Sequence, residues 1–356
     1  MNLTLLNNPA EIPSPSPAKF AIRTPSQLAQ RCEELRTSEF LIKDFMPRQS
    51  LTISIGDSGI GKTPLQYQKA ICVAAGLPFL DMPVQQGRVL YLDCENGIAE
   101  VSEMVSRISK FLRLPKPPED LHLWNLNDAE HEFGQPGHRL PNMLAAIRPA
   151  LVIADPYNAI FTTLEKDNST AGEEIRAMRG MMKEFRCAFD GLHHIRKRDL
   201  NDSYQALEAA ALRDWFQQTR GPRILINGSD LRVGIDESMH HQNALLLRGF
   251  RRVDGEFPAI HLKRVLDEDG DPMGYQRMAG IDLVRNPDHQ ALYERLPAEF
   301  SFKDAKRIYS KADEATSGAL KALSAAGLVQ RVQKGCYRKV MQPASQPAGS
   351  ALAVAA

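Results

Sequence analysis

The chain has 356 residues, 43% of them hydrophobic and 24% charged, with a formal net charge of +1. That length and apolar content can build a sizeable core, as two domains or as one large domain with an appendage. The near-neutral balance excludes a global field for nucleic acid or membranes, so any such surface must be a local patch.

Along the chain, residues 1–20 include "NNPAEIPSPSPA", which is rich in proline and predicts a disordered lead-in. In 20–48, "QLAQRCEELR" has the pattern of an amphipathic helix that either packs on a neighbouring subunit or covers a sheet edge. Strands are expected in "SLTISIG" (50–56), "GRVLYLDCE" (87–95), "DLHLWNL" (120–126), "PALVIADP" (149–156), "CAFDGLHHI" (187–195) and "GPRILING" (221–228). Helical periodicity occupies 62–75, 97–113, 140–148, 171–185 and 204–217. Short apolar strands alternating with such helices predict βαβ units and a mostly parallel α/β sheet flanked by helices. Two closing strands follow in "ALLLRGFRR" (244–252) and "PAIHLKRVLD" (258–267), completing a domain of 21–285.

Residues 286–341 change character. Three short helices, "DHQALYERL", "FKDAKRIYS" and "DEATSGALKALSAAG", precede two strands in "LVQRVQKGCYRKV", the order of a winged helix-turn-helix. Ten Lys/Arg against six Asp/Glu lie in 288–341, which suits duplex DNA, although such modules also serve protein–protein contacts. The end, 342–356, is small and uncharged and predicts a disordered tail. The five cysteines are scattered without a C-x-x-C pair, which argues against a disulfide framework or zinc site and for a reducing, cytoplasmic setting. No run approaches the roughly 18 apolar residues of a membrane span, so no membrane partner is expected.

The chemistry concentrates in "GDSGIGKT", residues 56–63, which fits the phosphate-loop pattern G-x-x-x-x-G-K-[ST]. Gly56, Asp57, Ser58, Gly59, Ile60, Gly61, Lys62, Thr63 and Pro64 are the expected nucleotide contacts, with main-chain amides aimed at phosphates from a helix N-terminus. Lys62 would reach the β- and γ-phosphates of ATP, and the Thr63 hydroxyl would hold Mg²⁺. Pro64 is compatible, because the first turn of a helix has no partners for its amides. The second metal ligand expected is Asp155, after four apolar residues of a buried strand, although a strand-end Asp-Pro can also simply open a turn. Glu95 ends another strand and could activate water.

The ordered set "GDSGIGKT … LYLDCENG … LVIADP … LHHIRK" resembles the RecA-like ATPases of the plasmid RepA hexameric-helicase type, relatives of DnaB-type replicative helicases, over roughly residues 38–280. The resemblance implies a RecA-like fold, Glu95 as catalytic glutamate, Asp155 as Walker B aspartate and His194 as a γ-phosphate sensor. Strand alternation puts only one of His193 and His194 on the site face. Tyr91 and Asp93 read as packing and supporting groups. The resemblance further implies a homo-oligomer, a hexamer by family, with single-stranded DNA in the ring and a basic residue supplied by the neighbouring subunit. Lys263 and Arg264 are the trans-acting candidates, with Arg248, Arg251 and Arg252 behind them; a solvated basic strand edge explains them equally. Arg196, Lys197, Arg198 and Arg213 fall where the family carries a DNA-contacting loop, and they also suit a solvated helix face. The family's small-residue "R-G-S" is absent there, with "LEAAALRDW" in its place. The function expected is an ATP-driven motor on DNA for a plasmid, phage or mobile element. The alternatives are an ATP-switched DNA-binding regulator without unwinding and a RecA-like recombination or repair ATPase.

Overall fold

A computed structural model describes residues 23–35, 40–128, 136–196, 205–239, 241 and 243–340. The disordered ends expected at 1–20 and 342–356 lie outside the described residues. Residues 1–39 form a unit of their own, whose described part is helix α1 (Pro25–Leu35). Thr24 and Gln27 cap it reciprocally, each side chain accepting from the other's amide at 3.3 and 3.0 Å.

The unit from Phe40 onward opens with a short pair, β1 (Phe40–Ile42) and β2 (Met46–Pro47). The α/β alternation follows: β3 (Leu51–Gly56), α2 (Lys62–Ala75), β4 (Val89–Asp93), α3 (Ile98–Phe111), β5 (Leu121–Asn125) and α4 (Pro136–Ile147). It continues through β6 (Leu151–Asp155), α5 (Tyr157–Ile160), α6 (Asn168–Phe185), β7 (Ala188–His194), α7 (Leu212–Trp215) and α8 (Ile224–Gly228). Four strands then close the sheet: β8 (Leu231–Glu237), β9 (Ala244–Arg251), β10 (Gly255–Leu266) and β11 (Pro272–Arg277).

The nine-stranded sheet has the order β11-β10-β9-β8-β3-β7-β6-β4-β5. From β8 to β5 every pairing is parallel, and β8 to β11 is an antiparallel meander. The mostly parallel α/β class is the one expected from the alternating pattern, and its RecA-like form the one the resemblance implies. Strands β3, β4 and β6 are buried at every position, which is why they read as continuous apolar runs. Two hydrophobic clusters lie on the two faces, one around Tyr67, Ile71 and Tyr91, the other around Ile53, Leu92, Phe189 and Trp215.

Two local expectations are corrected. "GPRILING" is not a strand but a turn and the short helix α8, and the strand comes one step later in "LRVGIDE". The run is apolar enough for either, and Gly221 at φ 87° with Pro222 breaks the chain before it can extend. The helix expected over 204–217 contracts to α7 and a 3₁₀ turn at Phe216–Gln218, because Trp215 and Phe216 are buried side by side against the sheet. Asp167 caps α6, its side chain accepting from the Ser169 and Thr170 amides.

Under the phosphate-loop helix the core contains a buried ion pair. Lys69 on α2 reaches Asp190 on β7 at 2.5 Å, and both side chains are almost fully buried. Ser54 donates to the other Asp190 oxygen at 2.9 Å, and Lys69 also donates to Gln66. Lys69→Ala strands the aspartate in the core and is expected to lower stability by about 3–5 kcal/mol. A urea unfolding midpoint unchanged from wild type would show that the pair contributes nothing.

The last segment holds its own apolar cluster around Leu292, Phe300, Leu320 and Leu323. Its elements are α9 (Pro287–Arg295), β12 (Glu299–Ser301), α10 (Phe302–Tyr309), α11 (Asp313–Ala325), β13 (Val329–Gln333) and β14 (Cys336–Lys339). The three strands make a small antiparallel sheet in the order β12-β14-β13. No described helix is long and apolar enough to cross a membrane.

Candidate functional site

The phosphate loop joins β3 to α2 as its pattern requires. Gly59 and Gly61 have φ of 77° and 97°, a left-handed backbone that side chains rarely adopt. A Cβ on Gly56 would come within 2.5 Å of the Ile235 carbonyl, so that glycine lets the loop lie against β8. Among the described residues, the amides of Gly59, Ile60 and Gly61 donate to no protein acceptor. Bare amides at the start of a helix are the donor set a polyphosphate needs, so the residues fit the group. Pro64 sits in the first turn of α2 without interrupting it.

Parallel pairing then assembles residues far apart in sequence. Across β3 and β7, Gly56 stands in register with His194. Across β4 and β6, Asp93 stands in register with Asp155. Both pairs lie at the carboxyl ends of parallel strands, where open α/β sheets place their ligands.

Lys62 is 6% exposed, and its ammonium donates to the Asp57 carbonyl at 2.6 Å. Burial pulls its pKa down, against the opposing pull of Asp155, Glu95 and Asp57. Asp155 is buried, and burial pushes its carboxyl up to about 7, while hydrogen bonds from Thr63 and Tyr91 (2.9 Å) work the other way. Thr63 and Asp155 are therefore side by side, an all-oxygen pair suited to Mg²⁺. Bound there, the metal would neutralise phosphate charge. A nearby cation favours the charged carboxylate, which offsets the cost of burying Asp155.

Glu95 is held by its neighbours rather than by its own carboxylate. Asp93 accepts from the Glu95 amide at 3.0 Å, from the Asn96 amide at 2.9 Å, from the Asn96 side chain and, on its other oxygen, from Tyr67 at 2.7 Å. Tyr67 stacks on Tyr91 with centroids 4.0 Å apart. The Glu95 carboxylate stays half exposed, 3.8 Å from His194 Nε2. Asp93→Ala removes acceptors from a buried network. It is expected to cost about 2–4 kcal/mol of stability and to lower turnover by loosening Glu95, measured by urea unfolding and phosphate release. Full turnover in a folded Asp93→Ala protein would show that the turn does not position Glu95.

His194 touches both halves of the site: Nδ1 is 3.5 Å from Ser58 Oγ and Nε2 faces Glu95. Burial, with Lys62 next, lowers its pKa to about 4, so it is a neutral imidazole at neutral pH. His193 points the other way, fully buried, with Nε2 2.8 Å from the Arg220 carbonyl and 3.9 Å from Glu165.

The basic candidates separate. Lys263 is exposed on β10, and Arg264, on the opposite face, donates to the Ile60 carbonyl of its own phosphate loop at 2.7 Å. That bond makes Arg264 a contact in cis. Arg248, Arg251 and Arg252 are also engaged within the chain, by Leu207, Asp254 and Asn227. Arg196 caps main-chain carbonyls of Gln218 and Thr219, Arg213 is exposed on α7, and Lys197 and Arg198 lie outside the described residues.

Two site neighbours escaped sequence reading. Tyr275 on β11 donates to the Gly61 carbonyl at 2.9 Å, and Gln68 on α2 grips the Tyr275 main chain in both directions at 2.7 and 2.8 Å. The turn signal "DEDGDP" and the alternation after it could have revealed β11, but nothing local ties Tyr275 to the loop.

A family model described as an AAA domain matches residues 17–199, just over half of the chain, a span that includes Lys62, Glu95, Asp155 and His194. No curated protein matches the chain.

Proposed function

The chain belongs to the AAA-domain family of P-loop ATPases, and from that premise we propose that it is a RecA-like motor acting on DNA, of the RepA helicase type. The observation that supports the motor most is the position of His194. It contacts Ser58 of the loop and faces Glu95, while its own carbonyl accepts from Arg220 at 3.0 Å. A change in phosphate occupancy therefore has a direct mechanical route into the segment after β7.

In this reading the loop amides and Lys62 bind the triphosphate, and Thr63 and Asp155 hold Mg²⁺. Glu95 takes a proton from the attacking water. Neutral His194 keeps Glu95 and the loop in contact. Subunits assemble as a ring, a hexamer by analogy, around a single strand, and an exposed cation such as Lys263 reaches the next subunit's site.

The C-terminal elements run α9-β12-α10-α11-β13-β14 around a three-stranded sheet, an order that suits a winged helix-turn-helix reading duplex DNA. This module also favours a second reading, an ATP-switched DNA-binding regulator. Steady-state hydrolysis with and without single-stranded DNA separates the two. A several-fold stimulation by single strands supports the motor. Turnover that ignores single strands and answers only to a duplex overturns it in favour of the switch.

A further inference from the structure

Away from the phosphate loop, a cavity of about 420 Å³ opens between α7, α8 and strands β8 and β9. Arg213, Arg223 and Arg232 line it together with Phe216, Phe250 and Asn227, and no carboxylate does. The three arginines come from different elements, so this is a gathering made by the fold and not a charge run.

Arg232 is the informative member. It is only 8% exposed, and its guanidinium lies 4.5 Å from the centroid of the Phe250 ring. Its donors go to main-chain carbonyls of Ile226 and Asn227, which carry no formal charge. The nearby carboxylate, Asp230, is committed elsewhere: one oxygen accepts from Arg179 at 2.8 Å, and the other from the Leu51 amide at 3.0 Å. Burial first, and the Arg252 charge next, pull the Arg232 pKa down against the opposing pull of Asp230. Arg213 and Arg223 are exposed, and among the described residues neither has an ion-pair partner. A buried cation without an ion-pair partner of its own is costly, and an anion placed in the cavity would relieve that cost.

The shape narrows the anion. The volume falls within the range of small-molecule sites and exceeds what a bare inorganic ion fills. Guanidinium forks match phosphate oxygens, and Phe216 and Phe250, packed edge to face at 5.4 Å, give the cavity an apolar side. We propose that this cavity binds a nucleotide through its phosphate, supplied either by a free mononucleotide or by one unit of a single-stranded nucleic acid.

An occupant would also be felt at the ATPase site. Phe216 and Gln217 line the cavity, and the residues just after them are stitched to the end of β7. The Arg196 amide donates to the Gln218 carbonyl at 2.8 Å, and the Arg220 amide to the His194 carbonyl at 3.0 Å. Displacement of 216–220 therefore pulls on the strand end that carries His194. This coupling rests on the reading of His194 given above, whereas binding rests on the cavity alone.

The test uses the full chain with its phosphate loop saturated by a non-hydrolysable ATP analogue. The probes are a fluorescent oligo(dT) of about 20 nucleotides, followed by anisotropy, and dTMP, followed by thermal shift. The variants are Arg213→Glu/Arg223→Glu, both exposed, and Arg232→Met, which keeps the volume and removes the charge. Wild type should bind at least one probe, and the double variant should weaken it by about tenfold or more. Loss of oligo(dT) binding assigns the cavity to a strand. Loss of the dTMP shift with oligo(dT) unchanged assigns it to a free nucleotide. A wild type that binds neither, or a folded double variant that binds both as wild type does, overturns the proposal. Absent ATP hydrolysis would count against the motor reading alone, since neither binding measurement needs turnover.

Discussion

The Lys62→Ala protein is expected to lose ATP hydrolysis by about 10²–10³-fold or more while remaining folded. Lys62 is nearly buried beside Asp155, Glu95 and Asp57, and its ammonium donates to the Asp57 carbonyl. Truncation removes the one ammonium that the loop presents to phosphate, and with it the charge stabilisation that ammonium supplies. The fold should tolerate the loss, because the pKa depression says that burying this cation costs energy the alanine does not incur. A change in unfolding free energy within about 1–2 kcal/mol is expected. Phosphate release and a urea midpoint on the same preparation decide the matter. Turnover within tenfold of wild type would remove the phosphate loop from the chemistry.

Glu95→Gln should separate binding from turnover. The side chain is half exposed and its position depends on main-chain bonds to Asp93, so an isosteric amide leaves the local structure intact. An amide cannot accept the proton of attacking water, and kcat is expected to fall by about 10²–10⁴-fold with nucleotide affinity unchanged. A fluorescent ATP analogue measures affinity, and single-turnover hydrolysis measures the step. A raised KM with kcat intact would make Glu95 a ground-state binding residue instead.

Much of the ATPase core was legible in the chain because its signals are local. A phosphate loop carries its strand, glycines and helix start within some twenty residues, and the buried parallel strands announce themselves as apolar runs. Where segments compete, locality fails. "GPRILING" and "LRVGIDE" are neighbouring apolar runs, and only the second has a partner strand on each side, β3 and β9. The helix pattern at 204–217 likewise gave way to burial of Trp215 and Phe216, since tertiary packing outweighs propensity when two large aromatic side chains can be covered at once.

By itself the sequence determined the α/β class and the phosphate-loop pattern, because these depend on short-range stereochemistry and strand periodicity, and it marked candidate residues for the site around them. Only the tertiary structure decided which of them meet. Strand order put β7 beside β3 and β4 beside β6, and with that His194 beside the loop and Asp93 beside Asp155. It also turned Arg264 inward onto the Ile60 carbonyl, brought Tyr275 to Gly61, and gathered Arg213, Arg223 and Arg232 around one cavity. Such contacts join residues up to 214 positions apart, and no local pattern encodes a pairing that sheet order alone creates.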